Sequence, residues 1–241
     1  NLQIIRADQL HPLLSGNKWF KLQRVLRLAQ ESGQKSLLSF GGAWSNHLFS
    51  LAAAGKLLGF ETIGLLRGEE PANPSPILKA LRSWGMQIHW LDRNAYRRRS
   101  EAQFLRDLQK KFPKARIIPE GGSGITGVQG AQDMLRALPP GTDLLVSAVG
   151  TGTTLTGLIS ALPLTCRVLG ITVLKGADYL RPEIQTWLEA LKSAQPQAAW
   201  ELETRYHGGG YAKSNADLHN FIAHFSSTEL PLEPVYTGKA F

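Results

Sequence analysis

The chain has 241 residues, a mass of 26.4 kDa and a formal net charge of +8. Hydrophobic residues make up 43 % of it and charged residues 19 %, a globular composition that excludes disordered and fibrous proteins. Its one cysteine, Cys166, excludes an internal disulfide and a thiolate zinc site.

Short apolar runs alternate with amphipathic stretches along the chain, and glycine occupies most of the junctions. The apolar runs predict strands at residues 36–40, 62–66, 87–91, 116–118, 144–149 and 168–173. The amphipathic stretches predict helices at residues 18–31, 45–58, 76–84, 100–111, 128–138, 154–161, 182–194 and 215–226. This alternation predicts an α/β protein with parallel sheets covered on both faces.

Two glycine-rich junctions lead from a strand into a helix, FGGAWSNH at residues 40–47 and VGTGTTLTG at residues 149–157. Ligands of open parallel sheets bind at the carboxyl ends of the strands, so each junction marks the rim of a candidate site. We therefore expect two open, doubly wound domains with a cleft between them. The expected boundaries give a large domain of residues 1–33 and 124–241 and a small domain of residues 34–123.

The VGTGTTLTG junction predicts a phosphate-binding loop. Gly150 and Gly152 lack Cβ atoms, so successive backbone N–H groups can converge on one anion at the start of a helix. Hydroxyls of Thr151, Thr153 and Thr154 can donate as well. The loop lacks the Lys-Ser or Lys-Thr pair of a Walker motif, and its glycine spacing is not that of a dinucleotide fingerprint. A tight turn that only packs the helix on the strand is the alternative.

The segment GNKWFKL places Lys18 and Lys21 three residues apart at a predicted helix start. The positive end of the helix dipole and burial both lower a lysine pKa, which makes the amine a better nucleophile. Two surface lysines on an amphipathic helix are the alternative.

Three further features complete the candidate residues. Ser45 and Asn46 begin a predicted helix, where they either cap it or expose N–H groups to a carboxylate. Tyr211 and Tyr236 lie beside glycine turns, where a tyrosine packs, stacks on a cofactor or relays a proton. Six histidines show no metal-ligand spacing, so we predict no metal site.

The motifs GNK, GGxxSNH, GTGTT, GGGYAK and PVYTGK follow one another along nearly the whole chain. In this order the chain resembles the pyridoxal-phosphate enzymes of the 1-aminocyclopropane-1-carboxylate deaminase and D-cysteine desulfhydrase family. The resemblance implies a tryptophan-synthase-β-like fold, also called fold type II, with pyridoxal 5'-phosphate as cofactor. Trp44 departs from the pattern, because several members of the family have glutamine there.

The resemblance also implies a role for each candidate residue. Lys18 would bond to the cofactor aldehyde, and Asn46 would hydrogen-bond the phenolate oxygen of its ring. Ser45 would receive the substrate carboxylate. The remaining roles fall to the loop Gly150, Thr151, Gly152, Thr153 and Thr154 for the cofactor phosphate, to Tyr211 and Tyr236 beside the substrate, and to Thr237 beside the pyridine nitrogen.

Thr237 favours one reaction within this family. Its neutral hydroxyl cannot keep the pyridine nitrogen protonated as a carboxylate would, so the carbanion is less delocalised. The desulfhydrases carry threonine at this position, and we therefore expect β-elimination from D-cysteine or a similar small amino acid, giving a 2-oxo acid and ammonia. The alternatives are opening of the cyclopropane ring, a non-catalytic phosphate-binding module and, more remotely, a nicotinamide oxidoreductase.

The positive charge raises the question of a nucleic-acid partner. The one basic cluster, Arg97–Arg98–Arg99, falls in a predicted turn, so we expect a solvated turn and no nucleic-acid or membrane partner. The sequence has no apolar run of the roughly 18 residues that a membrane span needs and no signal-peptide pattern, which predicts a cytoplasmic protein. The resemblance implies a homodimer and a longer family chain, of which this sequence is expected to be a piece.

Overall fold

The computed structural model describes residues 2–14, 16–191, 197–227 and 230–241. Contacts within the chain group it into two units, Asn1–Gly130 and Ala131–Phe241. The helices of the first unit are α1 (Gly16–Glu31), α2 (Asn46–Leu58), α3 (Pro76–Ser83), α4 (Arg93–Arg97), α5 (Ala102–Lys111) and α6 (Ile125–Ala131). Its strands are β1 (Ser36–Gly41), β2 (Glu61–Arg67), β3 (Gln87–Leu91) and β4 (Ala115–Ile117).

The strands of the first unit form a parallel sheet in the order β3-β2-β1-β4. Leu38 of β1 pairs with Ile63 of β2 on one side and with Ile117 of β4 on the other. Both faces of the sheet are covered, because Leu37 lies in one buried cluster while Leu38 and Phe40 lie in another. This confirms the predicted parallel sheet with helices on both faces.

The second unit holds a second parallel sheet. Its strands are β5 (Leu144–Val149), β6 (Arg167–Thr172) and β7 (Trp200–Glu203), in that order across the sheet. Its helices are α7 (Thr153–Ala161), α8 (Leu180–Ala190), α9 (Ala216–Phe225) and α10 (Thr237–Ala240). Unlike the predicted pattern, this sheet is not covered throughout: Leu144 and Val146 of β5 are each almost half exposed.

Most predicted elements agree with the structure to within one or two residues. The predicted helix at 128–138 is divided, because α6 begins at Ile125 and a 3-10 turn, Gln132–Ala137, follows it. Strand β7 and the short helices α4 and α10 were not predicted. The predicted helix at 182–194 corresponds to α8, and residues 192–194 lie outside the described part of the chain. The domain boundaries at 33/34 and 123/124 stay a prediction.

No helix in the described ranges is both long enough and apolar enough to cross a membrane.

Candidate functional site

The chain order reverses at β1 in the first sheet, because β2 and β3 lie on one side of it and β4 on the other. The carboxyl ends of β1 and β4 therefore lie side by side at a topological switch point, where open parallel sheets bind ligands. The FGGAWSNH segment leaves β1 at this point, and a 3-10 turn, Glu120–Gly122, lies just beyond β4.

Two lysines of α1 reach this edge of the sheet. Lys21 is 2 % exposed, and its Nζ donates a 2.8 Å hydrogen bond to the carbonyl of Gly121. Lys18, one helical turn earlier, is half-buried, and its amine is hydrogen-bonded to that of Lys21. The helix thus carries two adjacent amines to the switch point, and the alternative of two surface lysines is wrong.

Burial lowers the pKa of Lys18 to about 8, although the hydrogen bond with Lys21 and the carboxylate of Glu120 act in the opposite direction. Burial also holds the pKa of Lys21 well below its usual range, and the charge of Lys18 adds to this effect. At pH 7 about one tenth of Lys18 is therefore a neutral amine, which is the form that attacks a carbonyl carbon and is almost absent from an ordinary lysine.

His47 lies beside these lysines at the start of α2. Its Nε2 is 2.8 Å from Ser39 Oγ on β1, and the Ser39 hydroxyl also lies 2.8 Å from the carbonyl of Ile118. Burial, together with the charges of Lys18 and Lys21, keeps the pKa of His47 well below its usual range. This histidine is a neutral, fixed part of the switch point.

Ser45 and Asn46 occupy the first turn of α2, as predicted. Ser45 is the N-cap, and its Oγ accepts a 3.2 Å hydrogen bond from Leu48 N. Gly41 permits this close turn, because a Cβ there would lie 2.5 Å from Ser45 Oγ. Asn46 is exposed, and Trp44 is 68 % exposed. The capping role of Ser45 is thus established, and it leaves the hydroxyl hydrogen of Ser45 to donate elsewhere.

The glycine-rich loop of the second unit leads from β5 into α7. Gly152 is the N-cap of α7, so this helix has no side chain of its own at the cap, in contrast to the serine that caps α2. Only glycine suits this position, because its φ is +74° and a Cβ here would lie 3.2 Å from Ile184 Cγ1. Thr151 Oγ1 and Thr153 Oγ1 lie 3.0 Å apart beside the same N-terminus. This arrangement suits an anion.

The two predicted tyrosines lie together in the second unit. The rings of Tyr211 and Tyr236 meet edge to face with centroids 6.1 Å apart. Tyr236 also adjoins the glycine loop, since a Cβ on Gly150 would lie 3.4 Å from its Cε1. The structure therefore brings Tyr211, Tyr236 and the start of the loop into one cluster.

Thr237, the first residue of α10, is held by Glu233, a residue that the sequence did not single out. Glu233 Oε1 accepts hydrogen bonds from Tyr236 N at 2.8 Å and Thr237 N at 2.6 Å. Thr237 Oγ1 in turn accepts a 2.9 Å bond from Glu233 N. The sequence pattern that could have indicated this role is an acidic residue four positions before the start of a short helix.

The other missed residues belong to the first unit. Glu120 accepts hydrogen bonds of 2.6 Å from Tyr96 Oη and from Arg99 Nε. Ser39 and His47 are far apart in sequence from Gly121 and Glu120, so no local motif links them. Only the pairing of β1 with β4 brings them together.

Comparison with known proteins identifies relatives over the whole chain. Residues 4–241 match the family described as "Pyridoxal-phosphate dependent enzyme". A putative 1-aminocyclopropane-1-carboxylate deaminase of Thermotoga maritima is 30 % identical over 257 residues, which cover 100 % of this chain and 82 % of that protein. A bifunctional D-cysteine desulfhydrase/1-aminocyclopropane-1-carboxylate deaminase of Arabidopsis thaliana, named as mitochondrial, is 29 % identical and matches 99 % of this chain and 65 % of its own length.

Solved structures give the same result for the fold. The crystal structure of a homologue of 1-aminocyclopropane-1-carboxylate deaminase superposes with a TM-score of 0.81 at 26 % identity. The superposition covers 98 % of this chain and 76 % of that structure. The resemblance inferred from five motifs is therefore confirmed.

Proposed function

The chain belongs to the family of pyridoxal-phosphate-dependent enzymes, and on that premise we propose that it is a lyase that eliminates a β substituent from D-cysteine or a similar small amino acid. The observation that carries the proposal is the amine of Lys18, a half-buried residue at the switch point of the first sheet, where burial of the amine lowers its pKa to about 8. The products are a 2-oxo acid, ammonia and the leaving group, which is sulfide for cysteine.

The residues present fit pyridoxal phosphate. Its aldehyde requires a neutral amine, which the lowered pKa of Lys18 supplies. Its phosphate requires converging donors at a helix start, which the glycine N-cap of α7 and the threonines beside it supply. We assign the aldehyde to Lys18, the phosphate to the loop Gly150, Thr151, Gly152, Thr153 and Thr154, the ring oxygen to Asn46 and the pyridine nitrogen to Thr237.

When bound, pyridoxal phosphate supplies an electron sink for the carbanion that forms at the substrate Cα. Lys18, as a neutral amine, would be the base that removes the substrate Cα proton. Ser45 receives the substrate carboxylate, for which its hydroxyl hydrogen and the N–H groups at the start of α2 are donors. Tyr211 and Tyr236, whose hydroxyls are 3.5 Å apart, move protons beside the substrate.

Ring opening of 1-aminocyclopropane-1-carboxylate is the second candidate, because the relatives in Thermotoga and Arabidopsis carry that activity in their names. The neutral side chain of Thr237 favours elimination, since a hydroxyl cannot hold the pyridine nitrogen protonated. The two reactions are distinguished by their products. D-cysteine gives pyruvate and sulfide, whereas the cyclopropane substrate gives 2-oxobutanoate.

We also propose a homodimer located in the cytoplasm, with a large domain of residues 1–33 and 124–241 and a small domain of residues 34–123. The homodimer and the domain division are supported by the resemblance to the family. Sedimentation of the purified protein tests the dimer, and a monomer at micromolar concentration contradicts it.

The test of function begins with addition of pyridoxal phosphate to the wild type, Lys18→Ala and Lys79→Ala, a variant that removes an exposed lysine of the same unit. We expect a visible absorption band and, after borohydride reduction, attachment of the cofactor to Lys18. Both results should be lost only in Lys18→Ala. A band that persists in Lys18→Ala contradicts the assignment.

The loaded enzyme is then offered D-cysteine, L-cysteine and 1-aminocyclopropane-1-carboxylate. Release of pyruvate and sulfide from D-cysteine supports the proposal. Release of 2-oxobutanoate alone assigns the second candidate instead. Cofactor binding without release of any 2-oxo acid from a wider set of D- and L-amino acids overturns the assignment as a lyase.

A further inference from the structure

We propose that Lys21 is a positioning residue that shares a single proton with Lys18, so that the amine of Lys21 receives the proton when Lys18 becomes a nucleophile or a base. The structure provides the pairing of these amines, while their use in catalysis rests on the proposed function. Neither a substrate contact nor a cofactor contact is assigned to Lys21.

The geometry of Lys21 is fixed on both sides. Its Nζ donates to the carbonyl of Gly121 at 2.8 Å and is hydrogen-bonded to the amine of Lys18. A carbonyl oxygen accepts only, so one hydrogen of Lys21 is committed to Gly121. In the neutral amine, the lone pair of Lys21 is then available to the N–H of a protonated Lys18.

The state in which Lys18 and Lys21 are both positively charged ammonium groups is disfavoured, because both amines are removed from water. Like charges at hydrogen-bond distance repel far more strongly inside a protein than in solvent. Such a pair titrates in two separated steps that belong to the pair as a whole. Both lysines have a pKa below the usual lysine value, with burial as the largest cause in each. One proton per pair is therefore the expected state at neutral pH.

The groups that face the lysine pair from other elements do not change the conclusion that the pair carries one positive charge at neutral pH. From α2, His47 contributes no charge. The Ser39 hydroxyl gives its hydrogen to the carbonyl of Ile118, so His47 Nε2 must donate to Ser39 Oγ, and His47 Nδ1 carries the lone pair. No partner for that buried Nδ1 is found among the described residues. The histidine is thus an acceptor and not a second cation.

The acidic group near the pair is Glu120 on the turn after β4. Its carboxylate favours a proton on Lys18, but its oxygens accept hydrogen bonds from Tyr96 Oη and Arg99 Nε. Arg99 offsets its charge. Glu120 therefore stabilises one positive charge on the lysine pair, but it does not offset the repulsion that a second positive charge would cause.

The transfer itself balances without another reactant. An N–H bond of the Lys18 ammonium breaks, and its electron pair stays on the Lys18 nitrogen. A new N–H bond forms on Lys21 from the lone pair of that amine. Lys18 is left neutral, and the charge of the pair is unchanged.

The test measures the titration of Lys18 in the full chain freed of cofactor. Trace acetylation with acetic anhydride over a range of pH modifies only unprotonated amines, and mass spectrometry reads the peptide that contains Lys18. The variants are Lys21→Met, which has no acceptor, and Lys21→Gln, whose amide both donates and accepts. Lys79→Met is the control for loss of one exposed positive charge in the same unit.

If wild-type Lys21 is a neutral acceptor, its replacement by methionine removes a bond that stabilises the Lys18 ammonium. The midpoint of Lys18 should then fall by about one pKa unit, which raises its acetylation about tenfold at a pH below both midpoints. Lys21→Gln should give a smaller decrease or none, and Lys79→Met should leave the midpoint unchanged.

The direction of the shift decides the question. A raised midpoint in Lys21→Met shows that Lys21 had carried its own charge, and an unchanged midpoint shows that the amines are uncoupled; both overturn the proposal. If Lys21→Met does not fold, a raised midpoint in Lys21→Gln overturns it, and an unchanged or lowered one supports it. Because no cofactor or substrate is used, failure of the proposed function leaves this result interpretable.

Discussion

Ser39 Oγ lies 2.8 Å from His47 Nε2 and ties the middle of β1 to the first turn of α2. Both side chains are buried, and the Ser39 hydroxyl also bonds the carbonyl of Ile118 just beyond β4. One hydroxyl thus joins three segments that meet at the switch point.

Ser39→Ala should therefore lower the free energy of unfolding by about 1–3 kcal/mol, because it leaves buried polar groups unpaired. Urea unfolding of the purified protein measures this loss. Ser83→Ala is the matched control, since its hydroxyl makes a 2.9 Å bond to the carbonyl of Ala80 in an exposed position. We expect that change to stay within about 0.5 kcal/mol. Equal losses in the two variants would contradict the role given to Ser39.

Gly152→Ala should destabilise the second unit and weaken the binding of pyridoxal phosphate. An alanine at this positive φ costs about 1–2 kcal/mol, and its methyl group would also press on Ile184. Gly176→Ala isolates the first effect, because Gly176 has a φ of +68° and open space around it. Urea unfolding should show a larger loss for Gly152→Ala, with weaker cofactor binding in that variant alone. The reverse order would show that Ile184 does not confine the loop.

Lys18→Met should flatten the pH dependence of stability in the cofactor-free protein. The pKa of Lys18 is about 8 in the folded chain, against 10.5 for an unperturbed lysine, so the unfolded chain binds more protons between these limits. The contribution of Lys18 to the free energy of unfolding therefore rises with pH between about 8 and 10.5. Denaturant unfolding at intervals across the same window should show a shallower rise in Lys18→Met than in Lys79→Met. Parallel curves for the two variants would rule out the lowered pKa.

Glu233→Gln should loosen the segment that carries Tyr236 and Thr237. The carboxylate accepts hydrogen bonds from three successive N–H groups, those of Val235, Tyr236 and Thr237. A glutamine directs N–H hydrogens at one of these donors, so amide exchange at the three residues should become about tenfold faster for each 1.4 kcal/mol lost.

Glu201→Gln is the control for that experiment, because it removes an acid paired with Arg167 in an exposed position. Hydrogen exchange followed by mass spectrometry should show no change at residues 235–237 in this variant. Slow exchange retained in Glu233→Gln would mean that packing, and not the carboxylate, orders the segment.

The strands could be predicted because parallel strands are largely apolar runs, as in the fully buried β1 and in the partly exposed β5. Strand β7 was missed because its apolar residues, Trp200 and Leu202, alternate with Glu201 and Glu203, so that no such run is visible. Helix α4 was missed for a different reason: Asp92 caps it, but it spans only Arg93–Arg97. The interval is too short for helical periodicity to appear.

The residues of the candidate site could be predicted where glycine or a pair of like residues marks them, as at Gly152 and Lys18. They could not be predicted where the arrangement depends on contacts between distant segments. The bond from Lys21 to Gly121 spans 100 residues, and the register that creates it comes from the pairing of β1 with β4. The same pairing of β1 with β4 brings Glu120 and His47 to the candidate site.

The exposed indole of Trp44 stands two residues before Asn46, at the rim where the ring oxygen of the cofactor is assigned. An indole in water emits at longer wavelengths than one in an apolar core, and a pyridine chromophore nearby absorbs in that region. Because the chain has six tryptophans, the part of the quenching that is lost in Trp44→Phe reports on this indole, and it times the arrival of the cofactor without any added dye.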